Sequence, residues 1–255
     1  MGITPTLGHA YHRAVTTPRL AILTTFEGDL PFTARHPDDG AKVAAGLAPH
    51  LPGWAFDTWR VSAGEWPADP AAYAGFVVTG SPASVNDDSP WIRQLEDLLR
   101  QLHALRRPMV GLCFGHQVIA KALGGAVGLS PGGWRLGTAP LPLHSPPHWL
   151  DDAPPVLNLY AAHNEQVLQA PPEAQVVGGD AFCPLGSLAV GEHIWTVQYH
   201  PEFSPAFMAD LLEALDGELP DAVIATGRQQ IRQPADGPAV MRWIARFLQR
   251  AADPS

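Results

Sequence analysis

Residues 108–125 read PMVGLCFGHQVIAKALGG, and their pattern changes partway along. The first six form a short apolar run behind Pro108, the signature of a buried strand. From Phe114 the chain turns helix-like, and it stops at Gly124-Gly125. Cys113 stands at the junction, between Gly111 and Gly115. A strand that feeds straight into a helix pushes one side chain out at the turn, and this segment is the thiol counterpart of the G-x-S-x-G elbow. The flanking glycines leave room for crowded backbone. The start of the helix favours thiolate, through its dipole and its free N–H groups.

The same strand–helix alternation extends on the N-terminal side. Residues 19–25 (RLAILTT) are a short apolar strand, and residues 38–51 are helix-like between Pro37 and Pro52. Residues 55–61 suit a second strand, and residues 75–80 (GFVVTG) a third. Ser89 is placed to cap the next helix and Pro90 to open it. That helix carries Ile92, Leu95, Leu98, Leu99 and Leu102 at helical spacing. Alternation of this kind predicts a parallel sheet with helices on both faces. Residues 126–197 contain short β-like runs broken by Pro and Gly, and from Pro205 onward the chain reads as three helical stretches. The expected fold is therefore α/β: an open, mostly parallel twisted sheet flanked by helices, with a small mixed or antiparallel extension and a helical C-terminal tail. Residues 1–18 read as a flexible N-terminal tail, and residues 19–250 as one domain.

The 255-residue chain is 46% hydrophobic with a formal charge of −9, enough apolar material for a sizeable core. It lacks the basic stripe of a nucleic-acid binder. Its only lysines are Lys42 and Lys121, neither followed by Ser or Thr, so there is no G-x-x-x-x-G-K-[ST] phosphate loop. Cys113 and Cys183 are the only cysteines. They form no C-x-x-C pair and no zinc spacing, so no metal is expected. The opening residues have no apolar h-region, and no run is long enough for a membrane span. These features point to a reducing cytoplasm.

Two further segments join the elbow. Val197-Gln198-Tyr199-His200-Pro201-Glu202 ends an apolar strand with an imidazole and a carboxylate two positions apart. On extended backbone, positions i and i+2 point the same way. Glu202 can then fix the tautomer of His200 and leave its other nitrogen for a thiol. Gly80-Ser81-Pro82 follows the third strand. Alone it reads as a turn. Beside the elbow, its Ser81 N–H and the Phe114 N–H can make an oxyanion hole.

Together these segments resemble the class I glutamine amidotransferases. GLCFGHQ is similar to their G-x-C-x-G-x-Q element and VQYHPEF to their strand-end H-P-E. VVTGSPASV is similar to their oxyanion loop, with Gly80-Ser81-Pro82 where the family often has Gly-Gly-Pro. The resemblance spans residues 19–203. It implies Cys113 as the nucleophile on a glutamyl side-chain amide, His200 as the proton shuttle and Glu202 as its orienting acid. Ser81 and Phe114 would supply the oxyanion hole from their backbones. Gly80, Gln117, Asn164 and Glu165 would contact the substrate, the last two from the AAHNEQV segment. His116 reads as a packed residue, and His163 as a weaker rival to His200. His144 and His148 read as surface-loop residues, and Cys183 as packing.

RVSAGEWP, GWRLG and the helical tail look like the free-standing branch of the family, which includes γ-glutamyl peptidases. The resemblance leaves both glutamine and γ-glutamyl peptides open as the small-molecule substrate, and it calls for no cofactor. No S-G-G-x-D-S pyrophosphatase motif occurs, so a synthetase that uses the ammonia would be a separate protein. The alternative is a catalytically silent binding or regulatory module of the same fold. The intact Cys–His–Glu set speaks against it.

Overall fold

The computed structural model describes residues 17–26 and 31–252. Of the expected tail, only Thr17 and Pro18 fall among them; residues 1–16 lie outside. Strand β1 (Arg19–Thr24) shows why the sheet needs cover on both faces. Leu20 and Ile22 point to one side, Ala21 and Leu23 to the other, and all four are fully buried. Helices α1 (Asp39–Leu47) and α6 (Gly237–Ala252) cover the first side through Val43, Leu47, Val240, Ile244 and Leu248. Helices α2 (Pro90–Ala104) and α3 (Phe114–Ala122) cover the second through Ile92, Leu95, Leu99 and Val118.

Next to β1 lie β2 (Ala55–Arg60) and β3 (Gly75–Val78), and β4 (Met109–Leu112) follows β3, all parallel. The chain then leaves the sheet for two antiparallel ribbons. One pairs β5 (Ala126–Leu129) with β8 (Glu165–Gln169), and the other pairs β6 (Arg135–Pro142) with β7 (Val156–His163). It returns through β9 (Ala174–Gly178), β10 (Ser187–Val190) and β11 (Ile194–Val197). The completed order is β2-β1-β3-β4-β11-β10-β9. Strand β11 runs parallel to β4, while β10 is antiparallel to β11 and β9 to β10. The extension thus consists of two ribbons plus an antiparallel edge, and β11 itself lies inside the sheet. Helices α4 (Pro205–Ala214) and α5 (Asp221–Gln230) precede α6.

Local details depart from the sequence expectation at two places. Ser89 stands at the N-cap of α2, but its side chain makes no capping hydrogen bond; Pro90 occupies the first turn as expected. The helix expected over residues 38–51 is α-helical only to Leu47 and continues as a 3-10 turn through His50. Pro49 lacks the N–H that an α-helical continuation would use. Among the described residues no helix is long and apolar enough to cross a membrane.

Candidate active site

The ends of β3, β4 and β11 lie side by side at the carboxyl edge of the parallel strands, where open α/β sheets bind ligands. Cys113 follows β4 with φ 51° and ψ −103°. A non-glycine residue held there costs on the order of 1–3 kcal/mol and persists only when its surroundings impose it. Here they do. The Cys113 N–H donates to the Val197 carbonyl at 3.0 Å, and the Gly115 N–H to the Thr79 carbonyl at 3.0 Å, which ties the elbow to β11 and to the end of β3. A Cβ on Gly111 would lie 2.5 Å from the Gly115 carbonyl oxygen, and one on Gly115 would collide with the Val78 carbonyl. Both glycines are required by close backbone approach.

Strand β11 pairs with β4 in a register that sets Val197 beside Leu112. The segments that follow the two strands therefore emerge next to each other. The His200 N–H donates to the Tyr160 carbonyl at 2.8 Å, which anchors this segment on β7. His200 Nδ1 lies 2.8 Å from Glu202 Oε1, with the two side chains 5% and 1% exposed. The Cys113 side chain acts electrostatically on the same ring, and a Cβ at Gly80 would touch both residues. With Nδ1 engaged by the carboxylate, Nε2 is the atom left for sulfur. Burial opposes charge on His200, but Cys113 and Glu202 outweigh it and raise its pKa to about 10. The imidazolium form is thus favoured while the sulfur is free. Glu202 Oε2 is buried without a partner among the described residues.

A cavity of about 240 Å³ opens on this group, with Ser81, Cys113, Gln117, His163, Asn164 and Glu165 in its lining. Gly80 packs against His200 and Cys113. The Phe114 side chain is buried away against Trp91, with ring centroids 5.5 Å apart, so it offers the site only its backbone. Neither the Ser81 nor the Phe114 N–H donates to another group among the described residues. The Ser81 hydroxyl accepts from the Ala83 N–H at 3.1 Å and shapes its own turn. Gln117 Nε2 donates to the Glu165 carbonyl at 2.8 Å and to Gln198 Oε1 at 3.2 Å. The Glu165 carboxylate accepts from Ser84 Oγ at 3.0 Å, and the Asn164 carbonyl from the Ser130 N–H at 2.7 Å. The residues the sequence assigned to catalysis, the oxyanion hole and substrate contact therefore gather in one place, although Gln117 and Glu165 already spend polar atoms on each other.

The remaining histidines divide as their settings dictate. His116 is fully buried on the elbow helix with Nδ1 2.8 Å from Thr196 Oγ1, and burial lowers its pKa to about 3. His163 lines the cavity with Nδ1 3.1 Å from the Glu165 carbonyl, and burial lowers its pKa to about 3 as well. Burial thus keeps the ring neutral. His144 is exposed on a bend, while His148, also exposed, opens a short 3-10 turn and so is not the loop residue expected. Cys183 is fully buried, and burial pushes its thiol up to about 12. Among the described residues no group of three or more His, Cys, Asp or Glu side chains is placed to hold a metal ion.

Sequence reasoning missed three contributors. Gln198, wholly buried, has Nε2 3.6 Å from Cys113 Sγ, a partner far away in the sequence that no local pattern indicates. Thr25 donates from Oγ1 to the Gly80 carbonyl at 2.8 Å and so fixes the turn. Phe203 lies flat on the His200 ring, centroids 3.9 Å apart and planes 9° from parallel.

Residues 59–213 match the family model described as glutamine amidotransferase class-I, a span that includes Gly80, Cys113, His200 and Glu202. The chain is 27% identical over 166 residues to gamma-glutamyl peptidase 3 of Arabidopsis thaliana, covering 62% of this chain and 67% of that protein. It is 30% identical over 137 residues to one of the subunits of the glutamine-hydrolyzing GMP synthase of Ignicoccus hospitalis, covering 53% of this chain and 70% of that one. The first of the curated relatives are matched over about two thirds of their length. Among solved structures, a glutamine amidotransferase from Thermotoga maritima superposes with a TM-score of 0.75 over 94% of this chain and 100% of that one, at 19% identity. At that identity the likeness is one of fold.

Proposed function

The chain belongs to the class-I glutamine amidotransferase family, and we propose that it hydrolyses γ-glutamyl amide bonds through a thioester on Cys113. The observation that carries this reading is His200 held between Cys113 and the buried Glu202 beside a cavity. Cys113 Sγ attacks the glutamyl Cδ, and the carbonyl oxygen takes up negative charge facing the Ser81 and Phe114 N–H groups. One such donor contributes about 3–4 kcal/mol to a transition state of this kind. The C–N bond breaks, and His200 passes its proton to the departing nitrogen. Neutral His200 then takes a proton from water, the oxygen adds to the thioester, and glutamate leaves as the sulfur is freed. Glu202 keeps the ring oriented in both halves. Gly80, Gln117, Asn164 and Glu165 form the glutamyl-binding wall.

The relative named a γ-glutamyl peptidase supports peptides or conjugates as substrates. The relative named as part of a GMP synthase supports a second reading, in which the ammonia passes to a synthetase on a separate chain. A cytoplasmic setting belongs to the same proposal and is supported by two free cysteines.

Intact-mass spectrometry during turnover of glutamine and of a panel of γ-glutamyl peptides tests the chemistry. The expected result is a glutamyl adduct on Cys113, with ammonia released from glutamine or amine from the peptides. Full turnover by Cys113→Ser would rule out the thioester.

A further inference from the structure

Behind His200 and Glu202, helix α1 buries two more charges. Lys42 Nζ lies 2.8 Å from Asp39 Oδ1, with the side chains 9% and 13% exposed. Lysine is scarce in this chain, and a buried ammonium is costly unless it is paired. This one also lies over aromatic faces, 3.6 Å from the Phe207 ring centroid and 5.3 Å from that of Phe203. Phe203 packs on Phe207 at 4.3 Å and stacks on His200 at 3.9 Å. One aromatic ring therefore separates the imidazole from a buried cation.

The charges around His200 come from several elements. Cys113 faces it from the elbow and Glu202 from its own segment. His163 faces it from β7 and Asp39 from α1, while Lys42 stands across Phe203. On Phe207, His36 packs at 5.2 Å, paired with Asp210, which Arg35 also reaches. Two carboxylates, Asp39 and Glu202, thus act electrostatically on one imidazole, and Lys42, paired with Asp39, brings the set closer to neutrality. Burial raises the pKa of Asp39 while Lys42 opposes that rise, and Glu202 and His200 act on it in turn.

We propose that Asp39 and Lys42, with Phe203 between them and the imidazole, are positioning residues for His200: they hold its plane and set the charge against which it exchanges a proton. The inference rests on the proposed role of His200 as proton shuttle. Once the thioester forms, the sulfur carries no charge. The readiness of His200 to take a proton from water then depends on Glu202, Asp39 and Lys42.

The test is the acidic limb of the kcat–pH profile, which reports the base in the acyl-enzyme when thioester hydrolysis limits turnover. The probe is glutamine, or the γ-glutamyl peptide the enzyme turns over fastest. Asp39→Asn leaves Lys42 uncompensated beside the ring and moves the limb down by about one pH unit. Adding Lys42→Met removes the surplus cation and returns the limb to its wild-type position. A merely structural role for the pair would change stability in these variants and leave the limb where it is. Phe203→Leu lowers kcat about tenfold with KM little changed, and Phe203→Tyr keeps the flat face and the wild-type rate.

An unmoved limb in Asp39→Asn, or a double variant displaced further from wild type, overturns the proposal. Should Asp39→Asn not fold, the Phe203 pair decides, and equal rates in the Leu and Tyr variants overturn it. Labelling of wild-type Cys113 by an electrophilic glutamine analogue separates the two levels. No label counts against the role of His200 itself. A labelled cysteine with an unmoved limb counts only against Asp39 and Lys42.

Discussion

Gly80 and His200 meet so closely that no side chain fits between them: a Cβ at position 80 would stand 2.7 Å from His200 Cε1 and 3.6 Å from Cys113 Cβ. Its backbone does not occupy the left-handed region, so alanine is tolerable to the main chain, and the burden falls on the imidazole. Gly80→Ala is expected to lower kcat/KM for the hydrolysis by on the order of 100-fold, as a misplacement near 1 Å does. Its melting temperature should stay near that of the wild type. Steady-state kinetics alongside thermal denaturation checks both halves.

The two cysteines should separate cleanly. Cys113→Ala is expected to abolish turnover and leave a folded protein. Cys183→Ala should keep the activity and cost about 1 kcal/mol for a small cavity. Alkylation of the folded wild type at neutral pH, followed by peptide mapping, should modify Cys113 and spare Cys183, whose thiol burial pushes up to about 12. Equal labelling of both would contradict this assignment.

Acid should unfold the protein through its buried histidines. His116 and His163 titrate at about 3 in the folded chain against an ordinary 6.5. Between those values the unfolded state binds more protons, so stability falls as pH drops from 6.5 toward 3. Each ring contributes on the order of 1 kcal/mol per pH unit in that window. Urea denaturation at pH 7 and pH 5 measures the slope, and replacing His116 with a neutral residue should flatten it.

Arg135 grips Asp180 with two nitrogens at 2.9 and 2.5 Å, and the side chains are 13% and 18% exposed. The same carboxylate accepts from the Phe182 and Cys183 N–H groups at 3.1 and 2.8 Å and so folds the turn between β9 and β10. Asp180→Ala leaves a mostly buried guanidinium and two N–H groups without their partner. The expected loss is about 3 kcal/mol, read from the midpoint of chemical denaturation. Arg135→Lys should recover only part of it, because an ammonium cannot form the two-armed contact.

What the sequence disclosed was local chemistry. Gly111 and Gly115 were legible because their purpose lies within four residues of Cys113. The His200–Glu202 pair was legible as an imidazole and a carboxylate two positions apart, although the extended backbone expected there is in fact a turn at Pro201 and Glu202 after β11 has ended. Gln198 was not, since it acquires meaning only from Cys113, which the fold brings in; Phe203 stands near His200 in sequence, but residue type alone does not announce a stacked ring. The apolar run at β11 announced a strand but not its neighbour, so its place beside β4 could not be read. Ser89 illustrates a weaker kind of inference: the right residue type stood at the right position, and the capping bond is still absent.

Because β11 closes against β4 from far downstream, a growing polypeptide presents Cys113 well before the imidazole that, on the proposed mechanism, would activate it. Until residues 194–197 arrive, β4 is an open sheet edge, and the elbow lacks the Val197 carbonyl that helps hold it. Under the proposed roles, chains broken off before that point carry an unassisted thiol, so hydrolysis would require that translation has run past the last strand.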